Sequence, residues 1–266
     1  MLLRHTDHVL RLFAGERLIN KIFARVFQSH AMGRLVIAHF DWKVGAGPRP
    51  TLAWLQAKTG CTRTLAAFVG IAGVARLVRS ERDPDDGRRR FLVPGDRVVQ
   101  GLRDWLRHHF QLAETLGLMP AGCAQRLQED PAYFERYVRA CPLVIDGLAQ
   151  NRHRFPRWHW LDGHHCGQRI AYAYLRAHCQ RAIETGACVH EPQWIPSGAD
   201  VVARMLGISK SHVRNVVNGA ERRGALEHDL LRRRLRLTDD FLTESRDFLV
   251  HLLMLMGAAH RCAATP

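Results

Sequence analysis

The stretch Ser197-Gly-Ala-Asp-Val-Val-Ala-Arg-Met-Leu-Gly-Ile-Ser-Lys-Ser-His-Val-Arg-Asn-Val-Val217, followed by the basic run Arg232-Arg-Arg-Leu-Arg-Leu237, decides the fold. Asp200 to Leu206 has helical apolar spacing, and Gly207 can take the positive φ of a tight turn. Ser209 stands where an N-cap is needed for a second helix from Lys210 to Arg222. Ala203 is the small residue and Val213 the apolar residue that let two such helices lock together. After them Leu235 and Leu237 alternate with Arg234 and Arg236, which predicts a strand with one apolar and one cationic face.

A fainter copy of this order lies upstream. Thr51 is an N-cap candidate for Leu52 to Lys58, Gly60 ends that helix, Cys61-Thr62 makes the turn, and Arg63 to Ala72 forms an apolar second helix. Val78 to Arg82 and Arg88 to Val93 read as strands around the turn Asp83-Pro-Asp-Asp-Gly87. A helix from Asp96 to Leu116 follows, with Val98, Leu102, Trp105 and Leu106 on one face. A helix from Gly33 to Lys43 precedes the copy, stopped by the Gly- and Pro-rich residues 45–50. The downstream copy has the same neighbours, a helix from Ile170 to Ile183 before a break at Gly186 to Pro196 and a long terminal helix after the basic run. Arg103-Asp-Trp-Leu and Arg246-Asp-Phe-Leu recur in the trailing helices at nearly the offset of Gly60 and Gly207, a sign of internal duplication. Thr6 to Phe27 reads as one or two amphipathic helices through Val9, Leu10, Phe13, Leu18, Ile22 and Val26, interrupted at Gly15. Pro120 to Arg169 reads as mostly helical and receives no role.

The expected architecture is mainly α with small β-wings: tandem winged helix-turn-helix domains joined by a helical scaffold. Residues 1–33 form an N-terminal helical arm, 34–116 the first winged-helix domain, 117–167 a helical linker, and 168–266 the second winged-helix domain with its C-terminal helix.

Composition narrows the function. The chain has 266 residues, 47% of them hydrophobic, enough for a substantial core, and a formal net charge of +14. That excess attracts polyanions, nucleic acid first. Lysines number only Lys21, Lys43, Lys58 and Lys210, so the basicity is mostly arginine, which a GC-rich genome also favours. The seven cysteines include no CxxC pair, which argues against a disulfide scaffold or zinc ribbon. His164-His165-Cys166, Cys179, Cys188 and His190 lack finger or ribbon spacing, so no metal and no cofactor is expected. Arg4, His5, Asp7, His8 and Arg11 interrupt the N-terminus, and no apolar run suits a membrane span, so a cytoplasmic protein without membrane contact is expected. No Gly-rich phosphate loop, HExxH or GxSxG occurs, and the Asp85-Asp86 and Asp239-Asp240 pairs suit capping, so no enzyme is expected.

The chemistry of the second helix points to double-stranded DNA. Arg214 and Asn215 are the bidentate types that distinguish guanine and adenine edges, while Ser209, Lys210 and Ser211 suit phosphates at a helix N-terminus, with His212 beside them. Arg232, Arg233, Arg234 and Arg236 would track the backbone or enter the minor groove. The upstream copy offers Thr62, Arg63 and Thr64 on its helix and Arg88, Arg89 and Arg90 on its hairpin. Its helix is otherwise apolar, so it suits phosphate contact or packing rather than base reading.

Gly207-Ile-Ser-Lys-Ser-His-Val with Glu221-Arg-Arg-Gly-Ala-Leu, and Arg82-Asp-Pro-Asp-Asp-Gly-Arg-Arg-Arg, resemble winged-helix transcriptional regulators of the MarR type. The likeness covers roughly residues 34 to 110 and 168 to 257, with the wing match on Asp86 and Arg88 to Arg90 and the helix match on Ser209 to Arg214. Gly87 and the apolar first helix depart from the pattern. The resemblance implies a sequence-specific transcriptional regulator and, with two copies in one chain, a single-chain pseudo-dimer; a homodimer and a small-molecule effector are further candidate partners. Tyr133, Phe134, Tyr137, Trp158, Trp160, Tyr172 and Tyr174 would line an effector pocket or, at helical spacing, fill the core. The alternatives are a winged-helix replication initiator and a protein-interaction scaffold.

Overall fold

The computed structural model describes residues 1–12, 17–60 and 63–264. The chain is mainly helical with two small antiparallel sheets. It divides into two compact units: unit 1 comprises Met1–Val26 and Asn151–His251, unit 2 Phe27–Gln150 and Leu252–Pro266. In chain order, α1 (Leu2–Leu12) and α2 (Arg17–Ile22) open unit 1. Unit 2 then holds α3 (Val26–Lys43), α4 (Leu52–Thr59), α5 (Arg63–Val74), β1 (Val78–Arg82), β2 (Arg90–Pro94), α6 (Asp96–Thr115), α7 (Cys123–Glu129), α8 (Pro131–Ala140) and α9 (Pro142–Gln150). A 3-10 turn, Arg152–Arg154, returns the chain to unit 1. There follow α10 (Pro156–Asp162), α11 (Gly167–Thr185), β3 (Ile195–Pro196), α12 (Ala199–Leu206), α13 (Lys210–Glu221), β4 (Leu226–Asp229) and β5 (Arg234–Leu237). The last helix, α14 (Asp239–Ala264), contributes to unit 1 as far as His251 and to unit 2 thereafter.

Unit 1 is built on Trp158, Ile170, Leu175, Val213, Val217, Leu235, Leu237 and Phe241, all buried in one cluster. Trp158 stacks on Phe248 at 5.2 Å and on Phe241 at 5.7 Å, and its indole N–H, costly to bury alone, donates to Ser245 Oγ at 3.1 Å. The sheet runs β3-β5-β4, with Leu226 opposite Leu237, Asp229 opposite Arg234 and Ile195 opposite Leu235.

Unit 2 repeats the order. Thr51 caps α4 by accepting from Trp54 N at 3.2 Å, and it also bridges Phe91 of β2, as Ile195 of β3 pairs with β5. Gly60 ends α4 and Gly207 ends α12, each in the left-handed region at φ 70° and 66°. Thus α3, residue 51, α4, α5, β1, β2 and α6 follow the order of α11, β3, α12, α13, β4, β5 and α14. In the core of unit 2, Phe110 meets Tyr137 edge-on at 4.8 Å, and the Tyr133 hydroxyl bonds to His260 Nδ1 at 2.5 Å.

Several boundaries differ from the sequence reading, α11 for one starting three residues before Ile170, and the largest shifts lie near the N-terminus and in the first hairpin. The N-terminal helix starts at Leu2, and Val26 opens α3 rather than closing an earlier helix; Phe13 and Gly15 lie outside the described residues. The helix expected from Gly33 begins seven residues earlier, because Gly33 is tolerated inside it at a cost of about 1 kcal/mol. Finally, β2 starts at Arg90 rather than Arg88: Asp86 holds the two preceding residues in the turn, its side chain accepting from Arg88 N at 3.0 Å and its carbonyl from Arg89 N at 2.8 Å.

Candidate nucleic-acid interface

Helices α12 and α13 are joined by Gly207, Ile208 and Ser209. Ala203 and Val213 are buried between them, and Ser209 Oγ caps α13 by accepting from His212 N at 3.2 Å. Val213, Val216, Val217, Gly219 and Ala220 turn inward. The opposite face presents Lys210, Ser211, Arg214, Asn215, Asn218 and Arg222, all exposed. Positions 211, 214, 215, 218 and 222 recur at helical spacing, so they share one stripe. Asn218 and Arg222 extend that stripe beyond the residues singled out from the sequence. The signal was there, since they stand three to four residues further along the same face.

His212 belongs to the scaffold instead. Its Nε2 lies 2.7 Å from the carbonyl oxygen of His165, and the two imidazoles meet edge-on at 5.4 Å, anchoring the start of α13 to the segment before α11. Burial and the neighbouring His212 hold His165 below the usual imidazole pKa. Behind α13, Gly219 faces Trp160: a Cβ there would come within 2.6 Å of the indole ring. That ring is held by His164 at 4.1 Å and by the Arg223 guanidinium at 4.8 Å.

A second clamp sits at the N-terminus of α10. The nearly buried Glu244 accepts from the backbone N–H groups of Arg157 at 2.8 Å and Trp158 at 3.0 Å, two donors that a first helical turn leaves without partners. Its other oxygen takes the Arg157 guanidinium at 3.0 Å, which also reaches Asp240 at 2.8 Å and the Arg223 carbonyl at 3.2 Å. The segment left without a role by the sequence therefore supplies the support for α13.

The hairpin arginines divide into two pairs. Leu235 and Leu237 are buried as the alternation requires, but the guanidiniums between them are engaged within the hairpin. Arg234 bonds Asp229 at 3.0 Å and Arg236 bonds Glu227 at 2.9 Å, each across the strands, and both stack on Trp194, at 4.5 and 5.1 Å. They brace the hairpin from its outer face, where both side chains stay partly exposed. Arg232 and Arg233, in the connecting loop, are exposed.

In unit 2, Thr62 lies outside the described residues, and Arg63 and Thr64 are exposed at the start of α5. The rest of the outward face of α5 is Ala66, Ala67, Gly70, Ile71 and Val74, with nothing to read a base. Arg88, Arg89 and Arg90 are exposed, but Arg89 lies 3.8 Å from Asp83, so the acidic turn offsets part of their charge. Of the aromatics nominated for an effector pocket, Tyr133, Phe134, Tyr137, Trp158, Tyr172 and Tyr174 are buried core. Phe134 alone among them borders an open cleft of about 570 Å³ in unit 2, with His39, Trp42, Arg49, Arg79 and Arg103.

Among the described residues, no group of three or more His, Cys, Asp or Glu could hold a metal ion, and no helix is long and apolar enough to cross a membrane. No family model, curated protein or solved structure matches the chain.

Proposed function

We propose that unit 1 is a winged helix-turn-helix that binds double-stranded DNA with α13 in the major groove, and that the protein is a sequence-specific transcriptional regulator of the MarR type. One observation carries this reading: the outward stripe of α13 is polar and cationic along its length, while its inward face and both ends are locked by Val213, Gly219, Ser209 and His212. A rigid helix presenting Arg214, Asn215 and Asn218 offers the donors and acceptors that base edges require, and Lys210 and Ser211 at its N-terminus suit a phosphate. The recurring element order supports an internal duplication in which unit 2, with its apolar α5, contributes packing or phosphate contacts rather than base reading.

For unit 2 a second reading is favoured by Ile71 and Val74, which stand exposed on α5. This face suits a protein contact, a second copy of the chain included.

The test is titration of duplex DNA across a series of salt concentrations. Log affinity should fall linearly with log salt, with a slope of about −0.9 for each phosphate neutralised. Absence of duplex binding at low salt would remove the proposal and leave the protein-contact reading.

A further inference from the structure

We propose that the loop between β4 and β5 is an intercalating wedge, in which Leu230 and Leu231 enter a base step from the minor groove while Arg232 and Arg233 hold the flanking phosphates; this rests on the reading of unit 1 as a duplex binder. Leu231 is 98% exposed and Leu230 80%, so two large apolar side chains stand side by side in solvent at one hairpin tip. The residues that follow them, Arg232 and Arg233, are exposed, while Asp229 before them is paired with Arg234, so the tip couples apolar surface to positive charge on its C-terminal side, a combination that fits stacked bases beside phosphates.

The tip is also preorganised. Asp229 closes the loop by accepting from Arg232 N at 3.0 Å and from Arg234 Nε at 3.0 Å, and Arg233 takes a left-handed conformation at φ 52°. Below it, Arg234 and Arg236 stack on Trp194, and β4 is tied to the end of α13 by Glu221, which accepts from His228 N at 3.0 Å. A wedge fixed to the helix that sets the register loses little freedom on insertion. A wing that only met phosphates would gain nothing from two leucines beside its arginines.

The experiment uses the full chain and end-labelled duplexes recovered by selection, either fully paired or with one mismatched step at the site facing the hairpin. Because a mismatch weakens stacking before the protein arrives, the wild type should bind the mismatched duplex about tenfold more tightly and shorten the end-to-end distance read by energy transfer. L230A/L231A, altered only at exposed positions, should still bind paired duplex but lose both the mismatch preference and the bend, and L230M/L231M should retain them. Lys210→Ala should weaken both duplexes equally and leave the mismatch preference intact. Unchanged bending and preference in L230A/L231A would overturn the wedge while leaving duplex binding in place. Loss of phosphatidylserine-vesicle binding in that variant, with duplex behaviour unchanged, would overturn it in favour of a bilayer. Failure of the wild type to bind any duplex at low salt would remove both this inference and the proposal beneath it.

Discussion

Replacing Glu244 tests whether α13 rests on a clamped support. Glu244 is 7% exposed and takes three hydrogen bonds, two from backbone N–H groups at the start of α10 and one from the Arg157 guanidinium. In Glu244→Ala both N–H groups lose their acceptor, at about 1 to 3 kcal/mol each when buried, and the guanidinium keeps the exposed Asp240 and the Arg223 carbonyl. The sum is bounded by the 3 to 5 kcal/mol typical of breaking a buried pair from one side, so a loss of about 3 to 5 kcal/mol is expected. Glu244→Gln retains an oxygen for the two N–H groups and gives up only the charged bond, so it should cost about 1.5 to 3 kcal/mol. Urea unfolding followed by tryptophan fluorescence measures both, as a lowered midpoint at unchanged slope. A loss below about 1 kcal/mol for Glu244→Ala, or equal losses for the two variants, would show that the carboxylate does not satisfy the helix start and would refute the reasoning.

Three further outcomes follow from the same support. Gly219→Ala drives a methyl into an indole held on two sides, so a loss of about 1 to 3 kcal/mol in urea unfolding is expected, relieved by Trp160→Leu; a stabilised Gly219→Ala would mean the ring moves freely. Burial pushes the Asp162 carboxyl up to about 7 against the lowering effects of Gln168 and Arg152, with His159 3.9 Å away. Its folded pKa exceeds its unfolded one, so the folded state binds the extra proton and stability falls as pH rises from about 4 to about 7, by roughly 2 to 4 kcal/mol. Asp162→Asn should flatten that slope in thermal melts across the range, and an unchanged slope would contradict the assignment. Ser209→Ala removes the cap of α13 and should cost about 1 kcal/mol in urea unfolding, with Ser209→Asp close to wild type; equal losses would place the effect elsewhere.

Local chemistry made the helices around Gly207 legible. A glycine that must take positive φ, a serine that caps and valines at helical spacing place α12 and α13 within one residue of where they lie. The hairpins were legible as hairpins but not as sites. Which arginines reach outward depends on register, and the pairing of Asp229 with Arg234 and Glu227 with Arg236 could have been read from opposite charges facing across a turn. The stacking of both on Trp194 could not, because nothing in the spacing between residues 194 and 234 links them. For the same reason residues 156–162 showed no role: the fit of Trp160 against Gly219 and of Glu244 against α10 exists only after distant segments meet. His212 looked like a reader by its place in the helix, and only the carbonyl of His165 reveals it as an anchor.

The most direct test of the account is the effect of Arg214→Ala on base preference, measured as the affinity ratio between a selected duplex and a scrambled one at fixed salt. If α13 reads bases, the ratio should fall by the 1 to 3 kcal/mol that one bidentate contact discriminates, roughly 5- to 150-fold, while affinity for the scrambled duplex changes little. Equal losses on both duplexes, or a ratio identical to wild type, would contradict the claim that this helix faces the bases.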